Sequence, residues 1–160
     1  MQLAKRNNSA TIADLRNVNK IVEKVKREDN KVVYSKVGER KKLQLIGIVD
    51  ASYKSDEKSV GGMLLMIANE QLTKASPMMW ESKLIDRVCH SSKDAETLAL
   101  SKMLDEATYM ARQIETLLFG DYRQRIPVRI YTDSEPTLES IVSTKQIERK
   151  SLRMKVQELK

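Results

Sequence analysis

Between Ser9 and Lys26 the apolar residues Ile12, Leu15, Val18, Val22 and Val25 recur three or four apart, a stripe that predicts an amphipathic helix. Ser9 or Thr11 can close its first turn. The polar run EDNK (28–31) reads as a turn, VVYSKV (32–37) as a short strand and GERKK (38–42) as another turn. KLQLIGIVD (42–50) is almost continuously apolar, which predicts a strand buried on both faces. Beyond a polar loop, GMLLMIA (62–68) and PMMWES (77–82) form two further strands joined by the turn-like NEQLTKAS (69–76). The three strands make an antiparallel meander.

The period then changes. Ala99, Met103, Ala107, Met110, Ile114 and Leu117 recur at helical steps, predicting a long helix over Ser92 to Leu118 that Phe119 and Gly120 end. IPVRIYTD (126–133) is a second buried strand, and Pro136 within SEPTLESIV (134–142) marks the first turn of another helix. Gln146 to Lys160 is helical by composition and basic. A meander followed by strand and helix gives an α/β fold, a mixed sheet with helices packed on it.

With 160 residues and 41% hydrophobic content, one sizeable core is the expectation. No apolar run approaches the roughly 20 residues of a membrane helix, and MQLAKRNNSA lacks the apolar stretch of a secretory signal, so an intracellular protein without a membrane partner is expected. A single cysteine, Cys89, excludes an internal disulfide, and with one histidine it cannot build a zinc site of the usual spacing. Any metal must be held mainly by oxygen. The net charge of +7 is unevenly placed: residues 1–42 carry 12 Lys and Arg against 5 Asp and Glu, residues 43–144 carry 11 against 15, and residues 145–160 carry 6 against 2. Basic ends around an acidic middle suit either a grip on a polyanion or solvated helix faces.

Asp50 and Asp133 each close an apolar strand at its carboxyl end, where open α/β sheets place ligands. Asp50 could equally start a turn, and Asp133 with Ser134 could cap the following helix. Glu96 is different, because it lies on the stripe the long helix turns toward the sheet, where an unpaired acid is costly to bury. If the two strands are neighbours and the helix crosses them, the three acids converge. They then repel one another unless a cation lies between them. Hard oxygen ligands select Mg²⁺ or Mn²⁺, and two such ions about 4 Å apart activate water and stabilise the leaving oxygen in phosphodiester cleavage.

Ser91 and Ser92 suit either a phosphate or sugar contact or the start of the helix, and Ser134 either a cap or an approach to substrate. Lys145, Arg149, Lys150 and Arg153, with Lys155, form a basic face that follows a phosphate backbone or is simply solvated. Trp80 is expected to fill the core between sheet and helix, His90 to be structural, and Cys89 to be buried and inert. Met63, Met66, Met78, Met79, Met103 and Met110 are expected to fill the core.

The order of VDASY (49–53), GGM (61–63), WESK (80–83), VCHSSKDAETLAL (88–100) and IYTDSEPTLESI (130–141) resembles the ribonuclease H domain of copia-type retrotransposon Pol polyproteins. ATIADLRNVNKIVEKVK (10–26) resembles the segment joining the reverse transcriptase to that domain. The resemblance implies a connection segment over 1–40 and a ribonuclease H-like domain over 41–160, with a meander, a parallel strand and flanking helices. It further implies that Asp50, Glu96 and Asp133 bind two Mg²⁺ or Mn²⁺ ions and cleave the RNA strand of RNA/DNA hybrids, leaving 5′-phosphate and 3′-hydroxyl ends. The implied partners are the hybrid and an upstream reverse transcriptase, in cytoplasmic virus-like particles or the nucleus. The family carries a fourth acid in an Ala-Asp pair beyond a final strand and helix, and Lys160 precedes that region, so the implied domain is incomplete at its C-terminal end. Two other readings share the fold: a non-catalytic nucleic-acid-binding or connecting remnant, and an integrase-like core, which lacks the WESK and SSKDAE pattern.

Overall fold

The computed structural model describes residues 11–28, 31–54 and 58–142. The chain divides into two compact units after Val33. In the first, helix α1 spans Ile12–Arg27 and is closed by a capping box: the Thr11 side chain accepts from the Asp14 N–H, and the Asp14 carboxylate accepts from the Thr11 N–H at 2.9 Å. Its last turn carries Lys24, Lys26 and Arg27, which suit the negative end of the helix dipole. The expected strand at VVYSKV does not form. Val32, Val33 and Tyr34 are exposed, and Ser35 is tied to the Ser76 side chain by two hydrogen bonds, so no ladder develops.

The second unit contains strands β1 (Leu43–Ser52), β2 (Val60–Asn69), β3 (Ala75–Leu84) and β4 (Val128–Tyr131), with helices α2 (Ser92–Phe119) and α3 (Glu135–Val142). The strand order is β3-β2-β1-β4; β2 runs antiparallel to both β1 and β3, while β4 lies parallel to β1. This is the mixed sheet with flanking helices that the periodicity predicts. β1 is buried on both faces only over Gln44 to Gly47, since Ile48 is exposed. β4 is shorter than expected because the chain turns away after Tyr131: the Ser134 N–H donates to the Thr132 hydroxyl, a local bond that competes with the ladder.

The core lies between α2 and the sheet, with Leu45, Val49, Met63 and Leu65 facing Ala99, Leu100, Met103, Ala107, Ala111 and Ile114. Leu117 is 85% exposed, contrary to its place on the expected stripe. A helix of 3.6 residues per turn drifts, and Leu118, four residues after Ile114, packs on the core instead. Trp80 is likewise 61% exposed and does not fill the core. The cause is a register shift in which Leu65 pairs with Met79 and Met66 with Pro77, leaving Met78 as an extra residue. One inserted residue reverses the faces that follow. Met79 and Glu81 therefore turn toward α2, Glu81 pairing with Lys102, while Trp80 turns away. Met78 is exposed rather than core filler; Met63 and Met103 are buried. No helix among the described residues is long and apolar enough to cross a membrane.

Glu115, fully buried on α2, holds the loop that leads into β4. Its carboxylate accepts from the Arg123 N–H at 2.9 Å and the Ile126 N–H at 2.7 Å. Burial pushes its pKa up, but the backbone donors of Ile126, Arg123 and Arg125 and the Arg125 charge outweigh that and leave it lowered. Gly120, in the left-handed region at φ 81°, turns the chain out of α2 into this loop. Glu115→Gln is expected to destabilise the fold by on the order of 3 kcal/mol at neutral pH, because buried donors lose a charged acceptor. Since the folded pKa lies below the unfolded one, this contribution is present above the ordinary carboxylate range and disappears as pH falls through the folded value. Urea unfolding as a function of pH checks both statements: the gap between wild type and variant should close in acid. Trp80→Ser should cost less than about 1 kcal/mol in the same assay, as a surface substitution does.

Candidate metal centre

Three elements deliver one acid each to the carboxyl end of β1. Asp50 lies near the end of β1, opposite Gly62 of β2. Glu96 lies in the second turn of α2, whose start is fixed by a cap: the Ser91 hydroxyl accepts from the Asp94 N–H at 3.1 Å, and the Asp94 carboxylate accepts from the His90 N–H at 3.0 Å. Asp133 follows β4 in the turn to α3. Because β4 is parallel to β1 and hydrogen-bonded to it, both strands release their acids at the same edge. One carboxylate oxygen from each of Asp50, Glu96 and Asp133 lies within 4.8 Å of the others.

The three acids sit in different surroundings. Asp50 and Asp133 are exposed and Glu96 is buried. The Glu96 Oε1 accepts from the Ala51 N–H at 3.0 Å, whereas its Oε2 is buried with no hydrogen-bond partner among the described residues. Burial raises the Glu96 pKa, the Ala51 N–H lowers it, and the charges of Asp50 and Asp133 raise it further, with a net upward shift. A buried carboxylate with one unpartnered oxygen and two further acids beside it is costly unless a cation completes it. The donor set is oxygen alone, and two of its members are open to solvent, which suits a hard divalent ion that keeps part of its water shell.

The other expected site residues fall as follows. Ser91 caps α2, Ser92 is the exposed first residue of that helix, and the Ser134 hydroxyl donates to the Thr137 hydroxyl at 2.8 Å at the start of α3. Ser91 thus takes the capping alternative, whereas the Ser134 hydroxyl bonds a neighbouring side chain and not a backbone N–H. Lys145, Arg149, Lys150 and Arg153 lie outside the described residues. His90 is exposed, and Cys89 is buried and free. The Ala51 N–H, a backbone donor, leaves no mark in the pattern of side chains.

No protein-family model matches the sequence, and no curated protein matches it. Among solved structures, the chain is similar to a ribonuclease H1 isolated from compost by a metagenomic approach, at 15% identity and a TM-score of 0.46, over 72% of each chain.

Mutual repulsion of the three carboxylates has a measurable consequence. In buffer containing a chelator, Asp50→Asn is expected to melt no lower than the unaltered protein, since one of the repelling charges is gone. Millimolar Mg²⁺ should raise the melting temperature of the unaltered protein and leave that of the variant nearly unmoved. A variant that melts lower in chelator would contradict the repulsion.

Proposed function

We propose that this chain is a divalent-cation-dependent endonuclease of the ribonuclease H type that cuts the RNA strand of RNA/DNA hybrids, and that it derives from the Pol polyprotein of a copia-type retrotransposon. The observation that carries the catalytic part is the meeting of Asp50, Glu96 and Asp133, with the Glu96 Oε2 buried and without a hydrogen-bond partner among the described residues. The retrotransposon part is supported by the ordered motifs from VDASY to IYTDSEPTLESI, and the upstream reverse transcriptase by the likeness of residues 10–26 to its connection segment.

The residues fit Mg²⁺ or Mn²⁺: three carboxylates, no competing nitrogen or sulfur donor among them, and one orphaned buried oxygen. Asp50, Glu96 and Asp133 would hold the ions, two in number as in the resembled family. When bound, such ions supply Lewis-acid stabilisation of the charge on a phosphodiester and a more acidic water. The protein's own contribution is orientation. Glu96, anchored by Ala51, forms the buried floor of the cluster, and the exposed Asp50 and Asp133 form the rim that a nucleic-acid backbone can approach. We assign Lys145, Arg149, Lys150 and Arg153 to phosphate contacts that fix the register of the hybrid, and Ser91, Ser92 and Ser134 to its neighbourhood near the acids. Selection of the RNA strand requires contacts to the 2′-hydroxyl across the shallow minor groove.

Cleavage of an end-labelled RNA/DNA hybrid over a Mg²⁺ titration tests the reading. Glu96→Gln and Asp133→Asn should each lower the rate by more than about a hundredfold, a larger effect than that of losing an outer-shell partner of a metal. Equal rates in variant and wild type, or cleavage that persists in chelator, would reject it. Hybrid binding that weakens with salt, without cleavage at any Mg²⁺ concentration, would instead identify a nucleic-acid-binding module of the same fold.

A further inference from the structure

Asp50 and Glu96 come from β1 and α2, and Asp133 follows β4; Gly47 of β1 is a residue at which side chains of both α2 and β4 crowd the β1 backbone. A Cβ placed on Gly47 would lie 2.8 Å from the Met103 Sδ, 2.9 Å from the Met103 Cγ and 3.4 Å from the Ile130 Cγ1. Gly47 stands three residues before Asp50 on β1, and Ile130 three residues before Asp133. Met103 stands seven residues after Glu96, two turns along the same face of α2. Met103 is fully buried, so the crowded thioether cannot swing aside into solvent. Nor does backbone conformation call for glycine here, because the positive-φ glycines are Gly38 and Gly120. What the absent side chain permits is close approach. Gly61 offers a contrast on the same helix face: a Cβ there would meet the Ala99 Cβ at 3.5 Å, an ordinary contact.

We propose that Gly47 is the positioning residue of the carboxylate cluster: its contact with Met103 and Ile130 sets how closely α2 and β4 approach β1, and thereby the spacing of Asp50, Glu96 and Asp133. The inference rests on the proposed cation site. A side chain at position 47 pushes α2 from β1, and the movement is carried along a stiff helix to Glu96, lengthening its bond to the Ala51 N–H. Metal constellations tolerate displacements of only about half an ångström, so affinity is the sensitive readout.

The test is Mn²⁺ affinity, measured by electron paramagnetic resonance of the free ion, beside melting temperature, on the full chain. Gly47→Ala is expected to lower affinity roughly tenfold or more while remaining folded by circular dichroism, a loss of the size seen when the support of a metal ligand is removed. Gly61→Ala should leave affinity unchanged. Removing the crowded side chain should restore it, so that Gly47→Ala/Met103→Ala binds like Met103→Ala alone and better than Gly47→Ala, although its emptied core makes it less stable. A merely structural role predicts the opposite, affinity falling in step with melting temperature. Should Gly47→Ala not fold, Met103→Phe crowds the same junction from the helix side and takes its place. Unchanged affinity in the crowded variant, or no recovery in the double variant, would overturn the positioning role. Asp50→Asn separates the two levels: if it binds Mn²⁺ as well as the unaltered protein does, the cation site itself is wrong and the inference falls with it.

Discussion

Glu96 is held by one oxygen on the Ala51 N–H, its other oxygen is buried without a partner among the described residues, and two further carboxylates lie beside it. That hydrogen bond ties α2 to β1 at the level where the acids meet, and it sets the depth of the whole cluster. A carboxylate at this depth, without a cation, is opposed by both desolvation and like-charge repulsion. It persists because α2 is anchored along the rest of its length. Ala99, Met103, Ala107 and Ala111 bring the helix close to Leu45, Val49 and Leu65, and the Ser91 cap fixes its first turn. The apolar contacts and the cap together outweigh the cost of one misplaced charge.

The two buried acids of α2 show how environment decides the role of a carboxylate. Glu115 and Glu96 occupy the same helix and are both removed from water, yet their pKa values shift in opposite directions. Glu115 is surrounded by backbone donors and a guanidinium, which satisfy its charge and make it a structural clamp on the loop before β4. Glu96 has a single donor among the described residues, the Ala51 N–H, and two neighbours of its own sign. Unsatisfied charge held by a rigid scaffold is the signature of a site that expects a ligand, whereas satisfied charge is that of a fastening.

Much of this was legible in the residues. The apolar run of β1, the helical period of α2 and the paired turn signals placed the meander and the helix, because long, strongly patterned segments leave few alternatives. Glu96 stood out as an acid on an apolar stripe, and Asp50 and Asp133 as acids at strand ends, so the cluster could be anticipated before any geometry was known. What escaped was phase. Trp80 was assigned to the core by its chemistry, but one inserted residue at Met78 reverses the faces of β3 beyond it, and periodicity cannot register a bulge. VVYSKV has the composition of a strand and lacks a partner ladder. Leu117 lost its place to Leu118 through helical drift, and Glu115 resembled any exposed helix acid, because the backbone donors that satisfy it come from a loop without pattern.

The proposed chemistry depends on a divalent ion being drawn to the place where Asp50, Glu96 and Asp133 meet. Titration of ¹⁵N-labelled protein with substoichiometric Mn²⁺ reports that place directly, since a paramagnetic ion broadens amide signals steeply with distance. The Ala51 amide, bonded to Glu96, should disappear first, together with the amides of Glu96 and Asp133. Broadening that begins instead at other surface acids, such as Asp86 or Asp105, while Ala51 stays sharp would contradict the account.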